Sequence, residues 1–193
     1  MSIGILALQG AFAEHANVLT RLNVQHHLIR NSNDLTPSTK GLILPGGEST
    51  AIGKLLVEMG LLSTIKDLIE GGLPVFGTCA GMILLAKKIE GEDTCHFGVL
   101  DATVRRNAYG RQLSSFTTEC HFEGVGNVPM VFIRAPYISN IWDNVSVLAT
   151  VDENIVAVQQ NNILAMSFHP ELTNDTRIHE YFLKMVSKDT KNH

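Results

Sequence analysis

Long apolar runs, basic clusters and regularly spaced cysteines are all missing from this sequence, and each absence closes off a class of function. No run approaches the roughly 20 apolar residues of a membrane-spanning helix. The formal net charge is −4, and Arg105-Arg106 is too small a basic feature to make a nucleic-acid or membrane surface the main partner. The three cysteines, Cys79, Cys95 and Cys120, form neither an even disulfide framework nor a Cys-x-x-Cys ligand pair, which fits a reducing, cytoplasmic setting. Met1-Ser2 leads into the apolar Ile3–Leu8 and then Gln9 without a basic leader, so this start reads as a strand and not as a signal peptide. His26-His27 has no third ligand at metal-binding spacing; no metal is predicted, and no other cofactor. Repeats, low-complexity tracts and clear linkers are absent too. The 193 residues are therefore read as one domain, 1–193. A chain of this length buries roughly 70% of its unfolded surface in a single core.

What is present is alternation. Ile3–Leu8 reads as a strand, His15, Val18, Leu19 and Leu22 fall at helical spacing, and Val24–Arg30 and Gly41–Pro45 read as further strands. Ile52, Leu55, Leu56 and Met59 repeat at helical spacing, as do Ile65, Leu68 and Ile69 ahead of Gly71-Gly72. Leu73–Phe76 is the next strand and Ala80–Ile89 the next helix. Short, nearly uninterrupted apolar strands between amphipathic helices predict an α/β fold, with a mostly parallel central sheet flanked by helices in three layers. The pattern changes after about residue 95. Val99–Val104, Phe116–His121, Val131–Ile133, Val145–Val151, Ile155–Gln159 and Ile163–Phe168 read as strands with no convincing helix between them, which predicts a mixed or antiparallel extension. Turn residues at Asp152-Glu153-Asn154 and Asn161-Asn162 make the last three a meander. A final helix carries Ile178, Phe182, Met185 and Val186 on one face.

The segment with most chemistry is Phe76-Gly77-Thr78-Cys79-Ala80-Gly81. A cysteine between two glycines after a strand fits a sharp strand-to-helix turn that exposes the nucleophile and frees the next backbone N–H for an oxyanion. The helix that follows adds a dipole favouring thiolate. The plainer reading, a small buried apolar residue, loses at Cys79 to those glycines; at Cys95 and Cys120, which lack them, it stands. Gly46-Gly47-Glu48-Ser49 and His169-Pro170-Glu171 also follow predicted strands, and residues at the carboxyl ends of parallel strands converge on one crevice. His169 suits a base that shuttles the thiol proton. Glu171, reached across an extended Pro170, suits the carboxylate that orients the imidazole. The pair Gly46-Gly47 is either a simple turn or a backbone able to offer an N–H, from Gly47, that joins the N–H of Ala80 in an oxyanion hole. Ser49 either caps the next helix or touches substrate.

These residues resemble the class I, triad-type glutamine amidotransferases, whose pattern is a glycine pair after a strand, a Gly-x-Cys-x-Gly elbow and a late His-Pro-Glu. Leu6–Gly10, Leu44–Thr50, Arg105–Gln112, Phe132–Pro136 and His169–Leu172 narrow the likeness to the glutaminase subunits of pyridoxal 5′-phosphate synthases, with Ala108 standing where that pattern has Ser. The resemblance implies a class I amidotransferase, flavodoxin-like sheet and one glutaminase domain. It implies Cys79, His169 and Glu171 as the triad, and Gly47, Glu48, Ser49, Arg106, Ile133, Arg134 and Ala135 around L-glutamine. It also implies a hetero-oligomer in which ammonia passes to a pyridoxal 5′-phosphate synthase subunit. A guanidinium and a carboxylate such as Arg106 and Glu48 match the two charged ends of an amino acid. Gln9, just after the first strand, is the candidate for sensing the partner. Two other readings remain: a glutaminase serving a different synthase, such as that of imidazole glycerol phosphate, and a non-catalytic thiol sensor using Cys79.

Overall fold

The computed structural model describes residues 2–106 and 115–189. Its strands are β1 (Ser2–Leu6), β2 (His26–Ile29), β3 (Thr39–Leu44), β4 (Val75–Thr78), β5 (Ala86–Ile89), β6 (Leu100–Arg105), β7 (Ser115–Phe122), β8 (Gly126–Ile133), β9 (Tyr137–Ile141), β10 (Ser146–Val151), β11 (Asn154–Gln160) and β12 (Ile163–Met166). Its helices are α1 (Phe12–Arg21), α2 (Ser49–Glu58), α3 (Leu61–Glu70), α4 (Ala80–Leu85) and α5 (Arg177–Asp189).

Strand side chains alternate between faces, and here both faces are apolar. Along β3, Leu42 and Leu44 enter one core while Ile43 enters the other; β12 divides Ile163 and Ala165 from Leu164 and Met166 in the same way. Such strands need cover on both sides. The first core is covered by α2, α3 and α4 through Ile52, Leu56, Ile65, Ile69 and Leu84. The second is covered by α1, α5 and the β7–β8 hairpin through Leu19, Phe182, Phe122 and Phe132. Three layers result, as the apolar alternation predicts.

Among the described residues the strand order is β2-β1-β3-β4-β12-β11-β9-β6-β5, with β10 beside β11. The block β2-β1-β3-β4-β12 is parallel throughout. From β12 the sheet turns antiparallel through β11, which also pairs β10 and β9, and β9 pairs β6 before a last parallel pair, β6 with β5. The meander β10-β11-β12 is present. Its first turn has Asp152 and Glu153 both at positive φ, 49° and 65°, as a two-residue hairpin loop requires.

Two expectations need correction. The helix predicted over Ala80–Ile89 stops at Leu85, where Ala86 turns extended (φ −60°, ψ 142°) and begins β5. Ala86 and Ile89 are spaced for a helix face, but pairing with Leu100 and Val104 of β6 outweighs local propensity. Strand β9 carries no strand signal in the sequence because Ser139-Asn140 interrupts its apolar character; of its residues Ile138 alone is buried.

The parallel block decides where the site forms. The ends of β1, β3, β4 and β12 lie side by side, so the segments that follow them meet at one sheet edge.

Candidate active site

Cys79 occupies the N-cap of α4 at φ 49°, ψ −102°, a conformation that costs a side-chain-bearing residue about 1–3 kcal/mol. Its N–H donates to the Met166 carbonyl at 2.8 Å, tying the turn to the end of β12. Gly81 makes the turn possible, because a methyl group there would be driven into the carbonyl oxygen of Leu44. The thiol is 7% exposed and lies 4.0 Å from the Ile133 carbonyl oxygen.

His169 follows β12 by three residues, and its N–H donates to the Val131 carbonyl at 2.8 Å. Its Nδ1 is 2.7 Å from Oε1 of Glu171, and both residues are buried. The predicted extended link between them is wrong. Pro170–Leu172 is a 3₁₀ turn, with Leu172 N–H donating to the His169 carbonyl at 3.2 Å, because the fixed φ of proline suits the first residue of a helical turn. Gly46 lets the imidazole approach, since a methyl group there would enter the ring of His169.

Burial acts against a proton on His169, but its hydrogen bonds to Cys79 and Glu171, reinforced by their charges, raise its pKa to about 10. Burial likewise acts against charge on Glu171, and His15 and His169 beside it outweigh that, holding its carboxyl below the usual range.

The glycine pair is fastened on both sides. Gly46 N–H donates to Thr78 Oγ1 at 3.1 Å, its carbonyl accepts from Ala11 N–H at 2.9 Å, and Glu48 N–H donates to Oε1 of Gln9 at 2.8 Å. Ala80, the first residue of α4, has an N–H with no acceptor in its own helix.

A cavity of about 410 Å³ opens over Cys79. It is lined by Gly47, Glu48 and Ser49 after β3, by Ile133 and Arg134 at the end of β8, and by Gln9 and Arg106. Ala80 and Ala135 are buried behind this surface. Ile83 lines it as well, one helical turn after Cys79, a spacing that is readable in the sequence. Of the two readings of Ser49, capping fails: Glu48 is the N-cap of α2, its carboxylate accepting from Thr50 N–H at 3.1 Å and Ala51 N–H at 2.8 Å. Burial opposes the charge on Glu48, and these N–H groups with Arg106 hold its carboxyl below the ordinary range. Arg106 bridges Glu48 at 3.3 Å and Glu92 at 3.0 Å. Residues 107–112 of the Arg105–Gln112 block, Ala108 included, lie outside the described residues.

Other singled-out residues stay apart. His27 hydrogen-bonds Ser2 at 2.9 Å and the Asp34 carbonyl at 3.0 Å, and His26 the Val24 carbonyl at 2.9 Å. Among the described residues no three His, Cys, Asp or Glu side chains are grouped to hold a metal ion. Cys95 is exposed and not the buried apolar residue expected, and Cys120 is half-buried. His15 and Thr78, which pack behind Glu171 and under Gly46, were missed as site residues.

This geometry has counterparts. The SNO glutamine amidotransferase family matches residues 5–188. The pyridoxal 5′-phosphate synthase subunit PdxT of Streptococcus pneumoniae (strain CGSP14) is 56% identical over 191 residues, 97% of this chain and 98% of that protein. A crystal structure of a glutamine amidotransferase superposes with a TM-score of 0.92 at 46% identity, covering 96% of this chain and 98% of that one. The structure of PurLQS from Thermotoga maritima superposes at 0.67 with 17% identity, covering 99% and 97%, and shares the fold.

Proposed function

Because this chain belongs to the SNO glutamine amidotransferase family, we propose that it is the glutaminase subunit of a pyridoxal 5′-phosphate synthase, hydrolysing L-glutamine to L-glutamate and ammonia. The observation that carries the reading is Cys79 lining a cavity together with an arginine and a carboxylate, Arg106 and Glu48, while His169 hydrogen-bonds both Cys79 and Glu171.

Glutamine enters with its side-chain amide over Cys79 and its charged end at Arg106 and Glu48, whose mutual ion pair is exchanged for the α-carboxylate and α-ammonium of the substrate. The Cys79 thiolate adds to the amide carbon, and the oxyanion is received by the N–H groups of Gly47 and Ala80. His169, held protonated beside Glu171, gives its proton to the departing nitrogen, so ammonia leaves and a γ-glutamyl thioester remains. Water then attacks the thioester carbon and loses its proton to His169, and the carbon–sulfur bond breaks, releasing glutamate and returning Cys79 as thiolate. Ser49, Ile133, Arg134 and Ala135 shape the substrate wall, and Gln9 is where the partner is sensed, through its hold on Glu48 N–H.

Ammonia set free near neutral pH becomes ammonium, which is no nucleophile, so transfer to a synthase subunit within a hetero-oligomer follows from the chemistry. A cytoplasmic location and a single domain over 1–193 belong to the same proposal; the three free thiols support the first. Among the described residues no helix is long and apolar enough to cross a membrane.

Ammonia release from glutamine is measured with and without the synthase subunit. The wild type is expected to be stimulated by that subunit and Cys79→Ala to be inactive with it. Stimulation by an imidazole-pathway cyclase instead, or no release by the wild-type complex, overturns the assignment.

A further inference from the structure

Behind the triad the row of polar side chains continues. His15, in the first turn of α1, places Nε2 3.5 Å from Oε2 of Glu171 and 3.2 Å from Thr78 Oγ1. Its Nδ1 is 2.9 Å from Nε2 of His179, in the first turn of α5. Both imidazoles are fully buried against Phe76, at ring-centroid distances of 5.8 and 5.5 Å. Polar groups placed in such a layer cost free energy, and aliphatic side chains would fill the same space without that cost.

The proton positions follow from what each ring faces. One N–H and one lone pair lie between the two histidines. If His15 carried its proton on Nδ1, its Nε2 lone pair would face the Glu171 carboxylate and His179 would bury an N–H with no acceptor at Nδ1, an atom without a hydrogen-bond partner. With the proton on Nε2, His15 directs its N–H toward Thr78 Oγ1, its hydrogen-bond acceptor at 3.2 Å, and toward Oε2 of Glu171 at 3.5 Å, an oxygen without a hydrogen-bond partner, and accepts from His179 on its far side. No N–H of either ring is then buried without an acceptor, and His179 Nδ1 keeps only a lone pair. Burial favours the neutral form of both rings, so this is a dipolar contact and not an ion pair.

We infer that His15, aligned by His179 and held by Thr78, is a positioning residue for the glutaminase reaction: its Nε2–H dipole, 3.5 Å from the second oxygen of Glu171, steadies that oxygen and with it the plane in which Oε1 meets His169. It touches no substrate. Glu171 is faced by His169 from its own segment and His15 from α1; His15 is faced by Glu171, His169, Glu14 and His179; and His169 is faced by Cys79 as well.

The kinetic part of the test rests on the glutaminase reading, and a second part does not. In the complex with the synthase subunit, His15→Phe, which keeps a ring and removes the N–H, is expected to lower kcat about tenfold with KM for glutamine unchanged. His15→Gln, whose amide can reach the same oxygen, is expected to recover most of the loss. Carboxyl ¹³C NMR of the full chain is expected to show Glu171 titrating about one pH unit higher in His15→Phe than in the wild type. A folded His15→Phe with wild-type kcat, a loss that His15→Gln does not recover, or an unmoved Glu171 titration overturns the inference. If His15→Phe does not fold, His179→Leu carries the test, with the same directions expected for kcat and titration and the same outcomes overturning it. No ammonia release by the wild-type complex would strike the glutaminase reading alone and leave the titration to decide the role of His15.

Discussion

Arg106 is held between two carboxylates, and in the proposed reading that ion-paired rest state is what the glutamine zwitterion displaces. Removing the guanidinium takes away a charge-assisted contact worth about 1.5–3 kcal/mol, so Arg106→Gln is expected to raise KM for glutamine roughly tenfold to a hundredfold. Steady-state kinetics with the synthase present check this, and kcat is expected to stay within about twofold because the contact is equal in ground and transition states. Residues of this kind divide sharply in how legible they are. Cys79 can be read locally, since Gly77 and Gly81 announce a turn, and His169 and Glu171 are close enough in sequence to be read as a pair. Arg106 is an ordinary strand-end arginine until the surrounding block is matched to a family. His15 and Thr78 were not legible at all: His15 owes its environment to His179, 164 residues away, and no local pattern marks such a meeting.

At the scale of elements, Cys79 is aimed by the seating of α4 on the end of β3. That contact is backbone against backbone at Gly81 and Leu44, so neighbouring side chains cannot relieve a clash by changing rotamer. Gly81→Ala is therefore expected to destabilise the chain by about 1–3 kcal/mol and to displace Cys79, losing glutaminase activity as well. Urea unfolding and ammonia release measured on the same preparation check both effects. The brevity of α4 is also where sequence reading failed. Ala80–Ile89 has helix-forming residues to its end, and only the presence of β6 alongside makes Ala86–Ile89 a strand. Elements whose partners are close in sequence, such as the β10-β11-β12 meander, were legible because their turns signal themselves. β9, fixed by pairing with β6 more than thirty residues earlier, was not.

For the molecule as a whole, the buried histidines give stability a predictable pH dependence. His15 and His179 are neutral in the fold, with pKa values pushed below 6.5 first of all by burial, whereas the unfolded chain protonates them as pH falls through 6.5. The unfolded state then binds more protons, so stability falls on acidification, each histidine contributing at most about 1.4 kcal/mol per pH unit. His169 acts in the opposite window. Its pKa of about 10 in the fold means that its contribution is complete below 6.5 and is lost as pH rises through 10. The urea midpoint is expected to peak near neutrality and to fall between pH 6.5 and 5, with a shallower acid slope in His179→Leu. The parallel block and its antiparallel extension were both legible from apolar alternation, whereas the placing of β12 against β4 was not. That placing also sets the order of events when the chain is made. Thr78 pairs Met166, so in the proposed reading Cys79 has no base beside it until β12, synthesised after the rest of the antiparallel extension, slides in next to β4. A growing chain thus carries a thiol but no working site, and glutamine is safe from it until almost the entire sheet has closed.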